Sequence, residues 1–172
     1  MKLDEGNLIL DFSGCRSIKS VARFDTESEN ANGLKAVDFE AETSDCLIFI
    51  EVKDFQHPSA TLERRKADFQ MLSDATKKEK NFFTIEMGQK IKDSLLRKYS
   101  LNKGITKDVV YLLFINADKF SAAERIRLKD KINGHIPTGL NDSRFSAFTN
   151  ITFELVNAEQ LRTYGIICTA KI

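Results

Sequence analysis

The chain has 172 residues, of which 42% are hydrophobic and 30% are charged, and its formal net charge is +1. This composition is that of a folded globular protein and argues against an intrinsically disordered chain. The sequence contains no apolar run of membrane-spanning length and no apolar signal-peptide core, so we expect one cytoplasmic domain over residues 1–172 that has no membrane partner.

The first predicted elements are short strands and turns. Residues 7–12 and 18–24 have the composition of strands, and a turn-like segment over residues 13–15 separates them. Residues 25–33 are polar and predict a loop. This loop leads into two segments of alternating apolar and polar residues, which predict a hairpin.

The predicted hairpin, residues 37–42 and 47–53, carries acids and one lysine on a single face. Successive strand side chains point to opposite faces, so Asp38 shares a face with the two acids that follow it, and Glu51 shares a face with Lys53. A two-residue turn at the tip would place Asp38 opposite Glu51, with their Cβ atoms about 5 Å apart. A three-residue loop would shift the register by one and separate the two carboxylates onto opposite faces.

A pair of carboxylates this close together restricts the chemistry of the site. The two groups repel each other, so such a pair requires a cation, a shared proton or a basic partner, and Lys53 alone could supply that partner. Hard oxygen ligands otherwise favour Mg²⁺ or Mn²⁺, which complete their coordination shells with water and substrate phosphate oxygens. A lysine beside such a metal can orient or deprotonate an attacking water. The pattern therefore predicts phosphodiester hydrolysis.

Asp38, followed by Glu51-Val52-Lys53 at the end of a hydrophobic strand, resembles the signature of the PD-(D/E)XK nuclease superfamily, which has the restriction-endonuclease-like fold. The resemblance implies that Asp38 and Glu51 bind the metal, that the Val52 carbonyl is a third ligand, and that Lys53 assists the nucleophilic water. The family's proline before the first acid is absent here, because residue 37 is valine. The further accessory candidates in this sequence are Glu27, Glu29, Glu40 and Gln56.

The same residues also have an ordinary explanation. A Glu-x-Lys tripeptide occurs on many solvent-facing strands, where an acid and a lysine on neighbouring strands form a common surface pair. Three features favour a functional site instead. Residues 47–50 are unbroken apolar, which predicts a buried strand. Polar residues begin abruptly at its carboxyl end, where open α/β sheets place ligands, and the order of the later elements fits the same fold.

The elements predicted after the hairpin continue this α/β pattern. They are, in chain order, a helical or partly mobile segment over residues 61–80, a helix from Thr84 to residues 102–104, a buried strand over 108–116, a helix capped by Ser121 that runs to about Asn133, a loop over 134–144, a strand over 151–156 and a helix capped by Asn157 that runs to Tyr164. Helices between the buried strands predict a crossover connection in a parallel pair.

The small net charge conceals two segments of opposite sign. Residues 1–60 carry 6 basic and 12 acidic side chains, whereas residues 61–107 carry 12 basic and 6 acidic ones. A nuclease would use such a pattern to hold cations at an acidic centre and phosphates on a basic surface, although solvated helix faces explain it equally well. The residues expected to bind the phosphate backbone are Arg64, Arg65, Lys66, Lys77, Lys78 and Lys90. On the helix that begins near Thr84, the side chains expected to be available to solvent or phosphate are Lys90, Lys92, Arg97 and Lys98.

We therefore expect an α/β domain with a mixed central sheet flanked by helices, which acts as a Mg²⁺- or Mn²⁺-dependent nuclease on DNA in preference to RNA. The main alternative is a catalytically inactive nuclease-like domain that binds nucleic acid or a protein partner. A second alternative is a structural or interaction protein whose acidic hairpin face is solvated. The sequence leaves open whether the chain forms a homodimer.

Overall fold

A five-stranded mixed sheet separates three helices from a smaller, three-stranded sheet. This structure is a computed structural model, and it describes residues 1–15, 17–26, 33–78, 81–101, 105–138 and 150–171. The strands are β1 (Lys2–Glu5), β2 (Leu8–Asp11), β3 (Ser20–Arg23), β4 (Phe39–Glu42), β5 (Cys46–Asp54), β6 (Asp108–Asn116), β7 (Ile151–Val156) and β8 (Ile167–Ala170). The helices are α1 (Leu62–Lys77), α2 (Phe82–Ser100), α3 (Ala122–Asn133) and α4 (Ala158–Thr163).

The large sheet has the strand order β3-β4-β5-β6-β7. Its first three strands pair antiparallel, whereas β5, β6 and β7 pair parallel. Helices α1 and α2 connect β5 to β6, because parallel neighbours require a long crossover and cannot be joined by a tight turn. The predicted fold class, an α/β domain with a mixed central sheet flanked by helices, is confirmed, as is the crossover.

Each face of the large sheet packs against its own hydrophobic core. Alternation along β5 explains the division, since Phe49 packs with Met87 of α2 on one face, and Ile50 packs with Leu10 of β2 on the other. Burial of each such side chain contributes about 1.5–3 kcal/mol relative to exposure. Glu51 follows this alternation and lies on the helix side of the sheet, where it is completely buried.

The helix boundaries depend on specific caps. Helix α2 begins at Phe82 and not near Thr84, because the Asn81 side chain accepts a hydrogen bond of 2.8 Å from the Phe83 amide. The predicted caps at Ser121 and Asn157 are confirmed, and each forms a reciprocal capping box with the residue three positions later. No helix in the described part of the chain combines the length and apolar character needed to cross a membrane.

In the three-stranded sheet, with the order β1-β2-β8, the predicted strand over residues 7–12 is confirmed as β2, whereas β1, β8 and their pairing with β2 are not predicted. Strands β1 and β8 have four residues each and are largely exposed, so neither shows a strong apolar alternation. β8 pairs with β2 in a register that joins Leu8 to Ala170, across almost the whole chain. The predicted loop over residues 134–144 lies partly outside the described residues.

Candidate active site

The register of the β4–β5 hairpin decides whether the two acids meet. Phe39 pairs with Ile50 and the Thr43 amide donates to the Cys46 carbonyl at 2.9 Å, so residues 44–45 form the two-residue turn. The predicted register is therefore confirmed over Phe39–Glu42. Asp38 immediately precedes the paired residues, and Lys90 Nζ contacts both its carboxylate and that of Glu51, which shows that the two acids lie close together.

Two carboxylates and two ammonium groups form a buried cluster at this end of the hairpin. Lys53 Nζ lies 2.5 Å from Glu51 Oε1, and Lys90 Nζ from α2 lies 2.7 Å from the same oxygen. Lys90 Nζ is also 3.7 Å from Asp38 Oδ1, while the Val52 amide donates to Asp38 Oδ2 at 2.6 Å. The Glu51 side chain is fully buried, whereas Lys53 is 28% exposed, so Lys53 connects the buried carboxylates to solvent.

The protonation of the cluster reflects the proximity of the acids. Burial, together with the negative charge of Glu51, raises the pKa of Asp38 to about 7, although Lys90 and the Val52 amide oppose this change. Burial tends to lower the pKa of Lys53, but the charge and hydrogen bond of Glu51 outweigh it, and the pKa of Lys53 is raised. The cluster therefore combines two acids and two lysines, and one of the acids, Asp38, binds its proton more tightly than an exposed aspartate does.

Buried polar residues of α2 hold the segment that leads into β4. Ser94 Oγ accepts a hydrogen bond of 3.0 Å from the Val37 amide, and Asp93 Oδ2 accepts one of 2.9 Å from the Lys35 amide. Val37 therefore packs on the helix side of the sheet, whereas strand alternation predicts the side occupied by Phe39. These contacts fix the position of the first acid of the hairpin.

The contacts of Lys90 are not predicted from the sequence. Lys90 is only 14% exposed and lies on the carboxylates, Lys98 pairs with Glu40, and Arg97 is buried, so the expected exposure of these three residues is wrong. Lys92, on the same helix, is exposed as expected. The sequence feature that could have indicated these contacts is the spacing of Lys90, Ser94 and Lys98 along one helix face, beside the apolar stripe that packs on the sheet. A role for Lys90 in binding nucleic acid stays a prediction.

The accessory candidates predicted from the sequence have different surroundings in the structure. Glu40 shares the face of Asp38, but its carboxylate is bound by Lys98. Val52 contributes its amide to Asp38, and a role for its carbonyl stays a prediction. Gln56 follows β5 and lines a cavity beside α1. Glu27 and Glu29 lie outside the described residues.

The basic residues predicted on α1 are exposed, as expected. Arg64 pairs with Asp68 at 3.0 Å and Lys78 pairs with Asp74 at 2.7 Å, each within the helix. Such surface pairs contribute little to stability and leave the side chains accessible to other anions. The exposed basic residues are Arg64, Arg65, Lys66, Lys77 and Lys78, and their contact with nucleic acid stays a prediction.

If Asp38 and Glu51 held a hard divalent cation, the ion would take the rest of its coordination shell from solvent and substrate. Among residues 1–15, 17–26, 33–78, 81–101, 105–138 and 150–171, no group of three or more histidine, cysteine, aspartate or glutamate side chains could hold a metal. Mg²⁺ requires fewer, because one or two carboxylates suffice when water and phosphate complete the octahedron. Glu51 Oε1 lies 2.5 Å from Lys53 Nζ and 2.7 Å from Lys90 Nζ, so a metal bound to this oxygen would have to displace or share these ammonium groups.

Comparisons of this chain with protein-family models, with curated proteins and with solved structures found no match. The functional interpretation therefore depends on the cluster itself. Asp38, Glu51 and Lys53, which the sequence singles out, lie together in the structure, and Lys90 joins them from α2.

Proposed function

We propose that this chain is a metal-dependent nuclease of the restriction-endonuclease-like type, which hydrolyses phosphodiester bonds in DNA. The main support is the cluster at the carboxyl end of β5. There, the buried carboxylates of Asp38 and Glu51 both contact the Lys90 ammonium, and the Lys53 ammonium lies 2.5 Å from Glu51. Two acids buried side by side are unfavourable unless cations compensate their charge, so such a pair is more typical of a cation site than of a solvated surface.

The residues divide the chemistry among them. Asp38 and Glu51 would hold Mg²⁺ or Mn²⁺, which lowers the pKa of a bound water and neutralises charge on the phosphate. Glu51 raises the pKa of Lys53, so this ammonium is better suited to donating hydrogen bonds to water and phosphate than to removing a proton. The Val52 amide fixes one Asp38 oxygen and leaves the other directed toward Lys90.

Cleavage of labelled single- and double-stranded DNA and RNA tests this proposal. The assay compares wild type in Mg²⁺, Mn²⁺ and EDTA with Asp38→Asn and Lys53→Ala, and uses Glu42→Gln as a matched acid on the same strand face. We expect wild type to cut DNA only when metal is present. Lys53→Ala should lower the cleavage rate by about 100-fold or more, and Glu42→Gln should change it by less than about twofold. A folded wild-type protein that cuts none of these substrates would contradict the proposal.

Lys90 supports a second candidate function, a metal-independent binding module. Its ammonium already lies on both carboxylates, 2.7 Å from Glu51 and 3.7 Å from Asp38, where a cation would otherwise be expected. Two lysines then neutralise two acids without any metal. Calorimetric titration with Mn²⁺ separates the candidates, because the binding module takes up no ion and still binds nucleic acid with a steep dependence on salt.

A further inference from the structure

A cavity of about 830 Å³ lies between the start of α1 and the segments that follow β5 and β6, and its lining begins at Phe55, two residues after Lys53. The two strand ends are joined beneath it, since the Asn116 amide group donates to Asp54 Oδ1 at 2.8 Å and the Phe55 amide donates to the Asn116 carbonyl at 3.1 Å. This is the edge of a parallel sheet where α/β proteins place their ligands. No step of the proposed hydrolysis uses this cavity.

The walls of the cavity combine aromatic and basic side chains. The lining residues that matter are Phe55, Leu62, Arg65, Lys66, Phe69 and Lys119. Phe69 is 40% exposed and Leu62 is 63% exposed, so apolar surface faces the opening. Three basic side chains line the cavity against one acid, Asp118. A ligand that fits these walls has a flat apolar part and a negative charge.

Arg65 has a defined position within this wall. Its guanidinium donates to the carbonyls of His57 and Pro58, each at 3.3 Å, in the segment between β5 and α1. Guanidinium groups held in this way present their remaining donors in a fixed geometry, which suits phosphate oxygens. The cavity therefore has one basic side chain, Arg65, that the backbone holds in a defined position.

We propose that this cavity binds an unpaired nucleotide of the strand that is cut, with its base against Phe69 and its phosphate toward the basic side chains. The proposal rests on the proposed nuclease function, because Phe55 follows Lys53 by two residues, about 7 Å of strand. A cavity of this volume accommodates a single drug-sized ligand and excludes a duplex. The substrate is therefore single-stranded DNA, or a single-stranded end or branch.

Stacking on an aromatic side chain together with a basic surface is the usual basis of single-strand binding, and both parts can be removed separately. Phe69→Ala removes the stacking surface, and Lys66→Ala removes one positive charge. Both side chains are exposed on α1, so neither change should unfold the protein. The matched controls are Ile126→Ala, an exposed apolar residue of α3, and Arg162→Ala, an exposed basic residue of α4.

The test is fluorescence anisotropy of a labelled single strand of about twelve nucleotides and of its blunt duplex, measured in EDTA over a range of salt. We expect wild type to bind the single strand more tightly than the duplex. Phe69→Ala should weaken single-strand binding by about tenfold and duplex binding by less than about twofold. Lys66→Ala should lower the slope of log affinity against log salt by about one. The two controls should match wild type.

Equal affinity for the single strand and the duplex would overturn the cavity proposal, as would a Phe69→Ala variant that binds like Ile126→Ala. Competition by a free mononucleotide as tight as the strand itself would also overturn it, since the cavity would then serve a soluble ligand. Failure of the nuclease proposal would give a different experimental result. In that case, wild type would show the expected binding in EDTA but no cleavage when metal is added.

Discussion

Three acids lie on one face of the β4 segment, and the two ends of this face behave differently. Glu40 and Glu42 stand opposite Phe49 and Leu47 on β5, and each pairs with one lysine. Asp38, which immediately precedes β4, lies close to another acid, Glu51, because Lys90 contacts both carboxylates. The identity of the residue across the strand, and not the number of acids, separates a structural ion pair from a candidate site.

The pKa directions at the two ends follow from this difference. A hydrogen bond from Lys107, at 2.7 Å, lowers the pKa of Glu42, as in an ordinary ion pair. Burial and the neighbouring Glu51 raise the pKa of Asp38 to about 7, even though Lys90 is close. At one end of the face a single lysine stabilises the ionised acid, whereas at the other end burial and a second acid favour the protonated form of Asp38.

Removal of the lysine at each end should give the largest contrast. In EDTA, Lys90→Met leaves a fully buried Glu51 with only Lys53, and we expect a loss of about 3 kcal/mol in the free energy of unfolding. Lys107→Met acts on a pair that is partly solvated and should cost less than about 1 kcal/mol. Urea denaturation measures both values.

Mg²⁺ sharpens this contrast. Because the Lys90 ammonium contacts the carboxylates that would hold the ion, Lys90→Met should be stabilised by Mg²⁺ more than wild type is. Lys107→Met should respond to Mg²⁺ as wild type does. Equal losses for the two variants in EDTA, with no difference in their response to Mg²⁺, would mean that the two ends of the face are equivalent.

The dependence of stability on pH should have opposite signs at the two ends. The folded pKa of Asp38, about 7, lies above its ordinary value of 3.8, so the unfolded chain loses this proton first and stability falls as the pH rises from about 4 to 7. The slope reaches at most about 1.4 kcal/mol per pH unit. The pKa of Glu42 is lowered, so its contribution is present above pH 4.5 and is lost as the pH falls.

Urea denaturation in EDTA between pH 4 and 8 isolates the contribution of Asp38. Asp38→Asn should remove the fall in stability between pH 4 and 7, whereas Glu42→Gln should leave that fall in place. If Asp38→Asn and wild type show the same pH profile, the pKa of Asp38 is not raised in the folded protein. The proposed difference between the two ends of the face then does not exist.

The parts of the site that sequence patterns predict are those fixed by short-range geometry. A period of two along the strands and a two-residue turn suffice to place Asp38 opposite Glu51. The register needs no knowledge of the rest of the molecule. Strand β6 and helix α3 are predicted for the same reason, since a continuous apolar run and a Ser121 cap are local signals.

The parts that are not predicted depend on contacts between distant segments. Lys90 meets Glu51 only because α2 crosses the sheet at this point, 39 residues later in the chain. A helical lysine beside an apolar stripe is compatible with both solvent and a buried acid, and the sequence alone does not choose between them. The pairing of β2 with β8 is undetermined for the same reason.

Ser94 offers the smallest and most local test of how the Asp38 end is held. Its hydroxyl accepts from the Val37 amide at 3.0 Å, and the side chain is fully buried. Ser94→Ala leaves this amide without its partner, and we expect a loss of about 1–3 kcal/mol in the free energy of unfolding. Ser100→Ala is the matched control on α2, because Ser100 is exposed and its hydroxyl donates to the Arg97 carbonyl of the same helix.

The same substitution links stability to function. If the Val37 contact positions Asp38, Ser94→Ala should lower metal-dependent cleavage and the affinity for Mn²⁺ under conditions where the protein remains folded, and Ser100→Ala should change neither. A Ser94→Ala variant that loses stability but keeps wild-type Mn²⁺ affinity would show that the hydroxyl supports the fold alone. Asp38 would then be placed by the hairpin register and the Val52 amide, without help from α2.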